Sequence, residues 1–278
     1  MEEEESVLKL GTPPSLLSTP IVMSSNLYKQ RSLVKNFVSR DFKVNYHGHF
    51  LGYLWSLLEP LALTGIFVLV FIILRGQTDT LLPLKIMIGI LIFNSFAKTL
   101  SNCTTCLIQN SSLIKQVYFP REVFPTAIAA FRFTSLCLSM IIIVPYMIYE
   151  NIMPTKMIFL LPLAMASCTL LGQGLGMITA VIQVRIRDLK QVIDLLVRAG
   201  FFLSGVFFGA EIIPENYLDI YLLNPIAVYI EMARGGVLGD WGVLDSWVVF
   251  RSILISIFFF FFGSFIFMRY ERKAVKYI

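Results

Sequence analysis

The sequence predicts an all-α polytopic membrane protein with six transmembrane helices. Three observations carry that assignment. Of the 278 residues, 56% are hydrophobic and only 15% are charged, where a soluble domain carries about 25% charged residues. Apolar runs recur along the chain, each near the ~20 residues a helix needs to cross roughly 30 Å of hydrocarbon. The segments between runs are alternately rich and poor in lysine and arginine, the asymmetry that orients membrane proteins.

The elements follow in chain order. Residues 1–25 open acidic (Glu2 to Glu5) and continue through Pro- and Ser-containing sequence. They read as a disordered cytoplasmic tail and not as a cleavable signal peptide, because no apolar core segment is present. Residues 26–56 read as an amphipathic interface helix and the entrance to the first span. Lys29, Arg31, Lys35, Arg40 and Lys43 alternate there with Leu27, Val34, Val38 and Phe42, which helical spacing brings close to one stripe. That pattern suits a helix lying in the interface plane with its apolar face in the lipid. Tyr46, Phe50, Tyr53 and Trp55 then form an aromatic belt, and Gly48 and Gly52 permit a bend. Pro60 stands near the start of the span, where a missing N–H costs least.

Residues 57–270 hold the spans, expected at 57–74, 84–103, 124–149, 157–183, 192–210 and 248–268, with a short cytoplasmic tail at 271–278. The basic clusters around Lys29 to Lys43, Lys115 and Arg121, Arg185 to Arg198, and Arg269 to Lys276 fall on one side. Only Arg75, Lys85, Lys156, Arg234 and Arg251 fall on the other. Both termini are therefore expected in the cytoplasm, with the chain in the plasma (inner) membrane. The outer segment 211–247 is split by Pro214, Asn224-Pro225, Gly235-Gly236 and Gly239 into two short amphipathic pieces. Gly172, Gly174 and Gly176 give the fourth span a small-residue face that lets helices approach closely.

Charged residues inside spans need a reason, because each is costly in lipid. Glu59 lies near the boundary, where hydration or snorkelling accounts for it. Lys98 and Arg132 lie deeper and leave three readings open: facing a translocation path, pairing with a carboxylate, or snorkelling. Asp194 and Arg198 are spaced to satisfy each other. Several chemistries are excluded. The net charge of +5 is spread over short loops, which does not suit nucleic-acid binding. Cys103 and Cys106 form a lone CxxC, and His47 and His49 lack a third ligand, so no metal site is expected. No Walker A loop is present, so any ATP-driven work needs a partner.

Four stretches in order carry a family resemblance. RDFKVNYHGHFLGYLWSLLEPL, with Arg40, Asp41, Tyr46, Gly52, Trp55 and Pro60, is similar to the entrance motif of type-2 ABC exporter permeases, especially those for polysaccharides. NSSLIKQVYFPREVFP resembles the family's segment between spans two and three, VRIRDLKQV its Arg-Asp motif (Arg187, Asp188), and YLLNPIAVYIEMARGGVLG its Asn-Pro and Arg pattern (Asn224, Pro225, Arg234). The pair His47 and His49 departs from the basic and small residues more usual there.

The resemblance implies a homodimeric channel for a lipid-linked polysaccharide, such as an O-antigen, capsule or teichoic acid chain. It implies no cofactor in this chain, with ATP and Mg bound by a separate ABC ATPase subunit. The docking segment for that ATPase would present Ile114, Lys115, Val117, Tyr118, Phe119, Arg121 and Glu122, since aromatics flanked by charge are what a docking helix buries in a partner's groove. The two short outer pieces would be re-entrant helices gating the exit. Phe93, Phe96, Phe201 and Phe202, with Lys98 and Arg132, are candidates for the channel, because pyranose rings stack on aromatic faces. The rival readings are a permease for a small hydrophobic compound or drug, and a polytopic enzyme of lipid-linked sugar metabolism. The enzyme would need clustered acids such as a DxD on one membrane face, which the scattered outer carboxylates do not supply.

Overall fold

The computed structural model describes residues 18–46, 51–76, 80–116 and 119–275, and every ordered element among them is helical. Two helices come first, α1 (Thr19–Lys29) and α2 (Arg31–Tyr46). α1 begins inside the stretch expected to be a disordered tail. The reason is non-local: Pro20 sits in its first turn, and Met23 is buried in a cluster with Phe267 and Ala274 at the far end of the chain. The apolar stripe of Leu27, Val34 and Val38 packs against that same cluster rather than into lipid. Phe37, which the stripe did not include, is buried edge-on to Phe124 at 5.3 Å. Phe42 stands edge-on to Phe131 at 4.7 Å.

A 3-10 turn, Gly52–Leu54, leads into α3 (Trp55–Arg75). Pro60 lies inside α3 rather than at its start, so the helix lacks the N–H that would reach the Ser56 carbonyl. Ser139 Oγ supplies a donor there at 3.3 Å, and Thr64 Oγ1 donates to the Pro60 carbonyl at 2.8 Å. The rest comprises α4 (Leu82–Gln109), α5 (Ser111–Gln116), α6 (Val123–Met140), α7 (Ile143–Tyr149), a 3-10 turn at Lys156–Phe159, and α8 (Leu160–Gln183). Then come α9 (Leu189–Leu203), α10 (Glu215–Leu222), α11 (Pro225–Leu238) and α12 (Ser246–Val275).

Among the described residues, five helical stretches are long and apolar enough to cross a membrane: Gly52–Ile73, Leu82–Gln109, Val123–Tyr149, Lys156–Gln183 and Ser246–Glu271. The run expected at 192–210 forms only the 15-residue α9, which stops at Leu203. Gly205 follows at φ +66°, a backbone shape that an L side chain resists.

The core is organised by α8, held between α4 and α12. Gly172 and Gly176 face α4, where a Cβ would stand 3.1 Å from the Phe96 carbonyl and 2.4 Å from Cys103 Cβ. Gly174 faces the other way: a Cβ there would lie 2.4 Å from the Phe259 carbonyl of α12. A Cβ on Gly263 of α12 would in turn meet the Gly174 carbonyl at 2.1 Å. The glycine triad thus serves two faces, not one.

Candidate functional site

The segment that joins α4 to α6 turns much of its chemistry inward. Ile114 on α5 is 8% exposed and belongs to the apolar cluster beneath it, so it is not on offer to a partner as the sequence suggested. Lys115 lies in the last turn of α5, while Val117 and Tyr118 lie outside the described residues. Phe119 is half-buried, edge-on to Phe124 at 5.3 Å. Arg121 pairs with Glu271 of α12 at 3.9 Å, and Glu122 is buried with Asn26 Nδ2 donating to it at 2.8 Å. α2 is fastened alongside: Arg40 pairs with Asp41 at 2.9 Å, lies over the Phe37 ring and donates to Asn110 Oδ1 at 3.2 Å.

Between α3, α4 and α6 lies a polar cavity of about 210 Å³. The entrance motif and the deep charges meet here: Tyr46, Trp55, Glu59, Pro60, Lys98 and Arg132 all line it, with Asn94, Ser95, Ser135 and Ser139. Lys98 Nζ pairs with Glu59 at 3.0 Å. Of the three readings for Lys98, pairing with a carboxylate is the one the geometry displays, and the pair stands on the wall of the cavity. Arg132 lies over the Phe131 ring at 4.9 Å, and the Asn102 amide oxygen, in the orientation that satisfies both groups, accepts from its Nε at 3.3 Å. Tyr46 Oη approaches Ser135 Oγ at 3.5 Å. Ser95 Oγ is buried without a hydrogen-bond partner among the described residues. Pairing lowers the cost of holding a charge within an apolar span.

The phenylalanines divide. Phe93 and Phe96 are enclosed in the core, with Phe93 edge-on to Phe201 at 5.2 Å. Phe201 also packs on Phe207 at 4.8 Å, whereas Phe202 is 62% exposed. Asp194 pairs with Lys190 and accepts from Ser101 Oγ at 3.1 Å, so Lys190, one turn before it, takes the place expected for Arg198. Arg187 and Asp188 are exposed in the turn before α9, where Gln183 Nε2 donates to the Arg187 carbonyl at 2.8 Å.

On the opposite side of the molecule, Asn224 and Pro225 start α11 in the manner their chemistry favours. Asn224 Oδ1 accepts from the Ile226 N–H at 3.0 Å, and Pro225 takes the first helical position, where no N–H is needed. Arg234 is 3% exposed and uses all five of its N–H donors. Nε donates to the Lys85 carbonyl at 3.0 Å, Nη1 to Phe208 and to Glu231 Oε1, and Nη2 to Gly205 and Val206 at 2.9 Å each. Three carbonyls of the irregular stretch after α9, those of Gly205, Val206 and Phe208, are therefore answered by one side chain. Glu231 also accepts from the Ala210 N–H and from Tyr221 Oη. Burial, then the Glu231 carboxylate, raises the Tyr221 phenol well above its ordinary value, so it remains a donor. Sequence reasoning missed Glu231; its signal was the spacing to Arg234, three residues on.

Five apolar helices long enough to cross a membrane, with charged side chains paired between them, mark the chain as a multi-pass membrane protein. The chain belongs to the ABC-2 type transporter family, whose profile matches residues 32–238. It is similar to the O-antigen export system permease protein RfbA of Klebsiella pneumoniae, 26% identical over 212 residues that cover 76% of this chain and 82% of the relative. RfbA of Myxococcus xanthus is 28% identical over 203 residues, 72% of this chain and 78% of the relative. The polysialic acid transport protein KpsM of Escherichia coli is 25% identical over 217 residues, covering 75% and 82%.

Proposed function

We propose that this chain is the permease subunit of an ATP-driven exporter that moves a lipid-linked polysaccharide across the plasma membrane. The observation that carries the reading is the polar cavity of Glu59, Lys98 and Arg132 within an apolar bundle, in a chain whose relatives are named for O-antigen export and polysialic acid transport. A glycan is polar along its length and needs such groups where lipid would reject it.

The energy comes from a separate ABC ATPase that binds ATP and Mg and docks at the α5 segment. The chain crosses six times, with α9 and the stretch held by Arg234 forming a broken fifth span, and both termini face the cytoplasm. α10 and α11 are the outer re-entrant pair that gates the exit. Two copies complete the channel, the outward faces of α3 (Leu61, Ile66, Leu69, Ile73) and α9 (Leu195, Leu196, Phe202) being apolar and uncovered within one chain.

The docking part is tested by changing Tyr118 and Phe119 together to Ala. Truncating one interface aromatic typically costs about 1–4 kcal/mol, and 1.4 kcal/mol is about tenfold. The ATPase that co-purifies should fall at least about tenfold, and export with it. A matched change at Gln77 and Thr78 should have no effect. Parental co-purification and export in the double variant would remove this segment from the docking surface.

A further inference from the structure

Two contacts tie the start of α6 to helices outside the family match, which covers residues 32–238. Glu122 occupies the residue just before α6, where a short polar side chain commonly accepts a free N–H of the first turn. It makes no such cap. Its side chain is 2% exposed and accepts instead from Asn26 Nδ2 of α1. α1 is held from behind by Met23, 3% exposed, in the cluster that contains Phe124, Phe267 and Ala274. Arg121, one residue earlier, pairs with Glu271 near the end of α12. From α1 the chain passes through Gln30 into α2, whose last residues, Asn45 and Tyr46, line the polar cavity with Glu59, Lys98 and Arg132.

We infer that Asn26 and Glu122 are positioning residues of the transport cycle: their hydrogen bond makes α1 travel with the cytoplasmic segment, and α1 delivers that displacement through α2 to the mouth of the polar cavity. The inference rests on reading the α5 segment as the element that receives the ATPase stroke. The physical ground is burial. The bond is part-buried, with the Glu122 end 2% exposed, so parting its partners leaves a carboxyl that water reaches poorly. Two elements joined in that way move as one body, and a displacement of one becomes a displacement of the other. The neighbouring Arg40–Asn110 bond is exposed, so water can replace it more readily.

The test uses the full chain with its ATPase and three variants: Asn26→Asp, Glu122→Gln, and both together. Asn26→Asp sets two carboxyl groups against each other. The double variant restores one amide and one carboxyl at nearly the same shape, with donor and acceptor exchanged. Three quantities are read: the ATPase that co-purifies, ATP hydrolysis by the purified complex, and surface polysaccharide on intact cells per copy of chain in the membrane.

Asn26→Asp should keep its ATPase and its hydrolysis but lose about tenfold in polysaccharide exported per copy, and the double variant should recover most of that loss. A variant that is only less stable lowers the number of copies and leaves export per copy at the parental value, which would overturn the inference. So would loss of the ATPase from Asn26→Asp, or a double variant as poor as the single. Failure of the underlying docking reading shows elsewhere, in a Tyr118 and Phe119 variant that keeps both ATPase and export.

Discussion

α4 and α3 are both long enough to span a membrane, yet 78% of the most apolar stretch of α4 is buried and only 11% of that of α3. The more apolar of the two is the one left outside. In lipid there is no hydrophobic drive to bury a leucine, because acyl chains are as apolar as its side chain. Helices associate there through close packing and hydrogen bonds, and α4 is equipped for both. Thr104 Oγ1 meets Thr179 Oγ1 of α8 at 2.7 Å, the Cys168 thiol of α8 donates to the Ile92 carbonyl, and Gly172 and Gly176 bring α8 onto it. α3 turns Leu61, Ile66, Leu69 and Ile73 outward. Its main polar tie to α4 is Glu59 on Lys98, at the cavity. The scaffold is therefore α4 with α8, α11 and α12, and the polar cavity opens where α3 leans on it.

The largest effect should come from removing what fastens α11 to the start of α4 and to the stretch after α9. Arg234→Leu leaves the carbonyls of Gly205, Val206 and Phe208 without their donor and Glu231 without its cation. Breaking a buried pair from one side costs about 3–5 kcal/mol. Protein in detergent should lose most of its folded fraction, and Arg234→Lys should recover little, since an ammonium cannot reproduce the five-donor fork. A melting midpoint within a degree or two of the parent would mean that the stretch after α9 is held by something else.

A smaller loss is expected at the crossing of α8 and α12. Gly174→Ala adds a Cβ that would stand 2.4 Å from the Phe259 carbonyl, so backbone must move. Overpacking of this kind costs about 1–3 kcal/mol. The midpoint should fall clearly but less than with Arg234→Leu. An unchanged midpoint would show that the two helices part without penalty, and α12 would then leave the scaffold.

How much of this was legible beforehand follows the same division. Helices that cross as single pieces are visible as apolar runs, because length and composition alone set them; α3, α4, α8 and α12 begin within a few residues of where the runs do. Features that depend on a distant partner are not visible. The fifth run breaks at Gly205 because Arg234 answers the freed carbonyls. α1 folds because Met23 meets Phe267 and Ala274. Pro60 is accommodated within α3 because Ser139 lies beside the Ser56 carbonyl. The site shows the same limit: Lys98 and Arg132 stand out in sequence as charges in apolar runs, while their partners Glu59 and Asn102 emerge only in three dimensions.

The smallest expected effect sharpens the comparison most. Gly65 lies in α3, exposed, and a Cβ built there meets no atom within 4 Å, in contrast to 2.4 Å at Gly174. Within one chain, Gly65→Ala therefore adds no clash. An exposed helix interior prefers Ala to Gly by roughly 0.5–1 kcal/mol, since Ala gives up less backbone freedom on folding. The melting midpoint should stay level or rise slightly in a preparation shown to contain single chains. The same substitution in the membrane, where two copies are proposed to face each other, has a second outcome. If α3 of a second copy packs at Gly65, a new methyl would press on it, and cross-linking between copies would weaken while each chain stays folded. A fall in the single-chain midpoint as large as that of Gly174→Ala would instead place α3 in the scaffold, and the contrast between α3 and α4 would be lost.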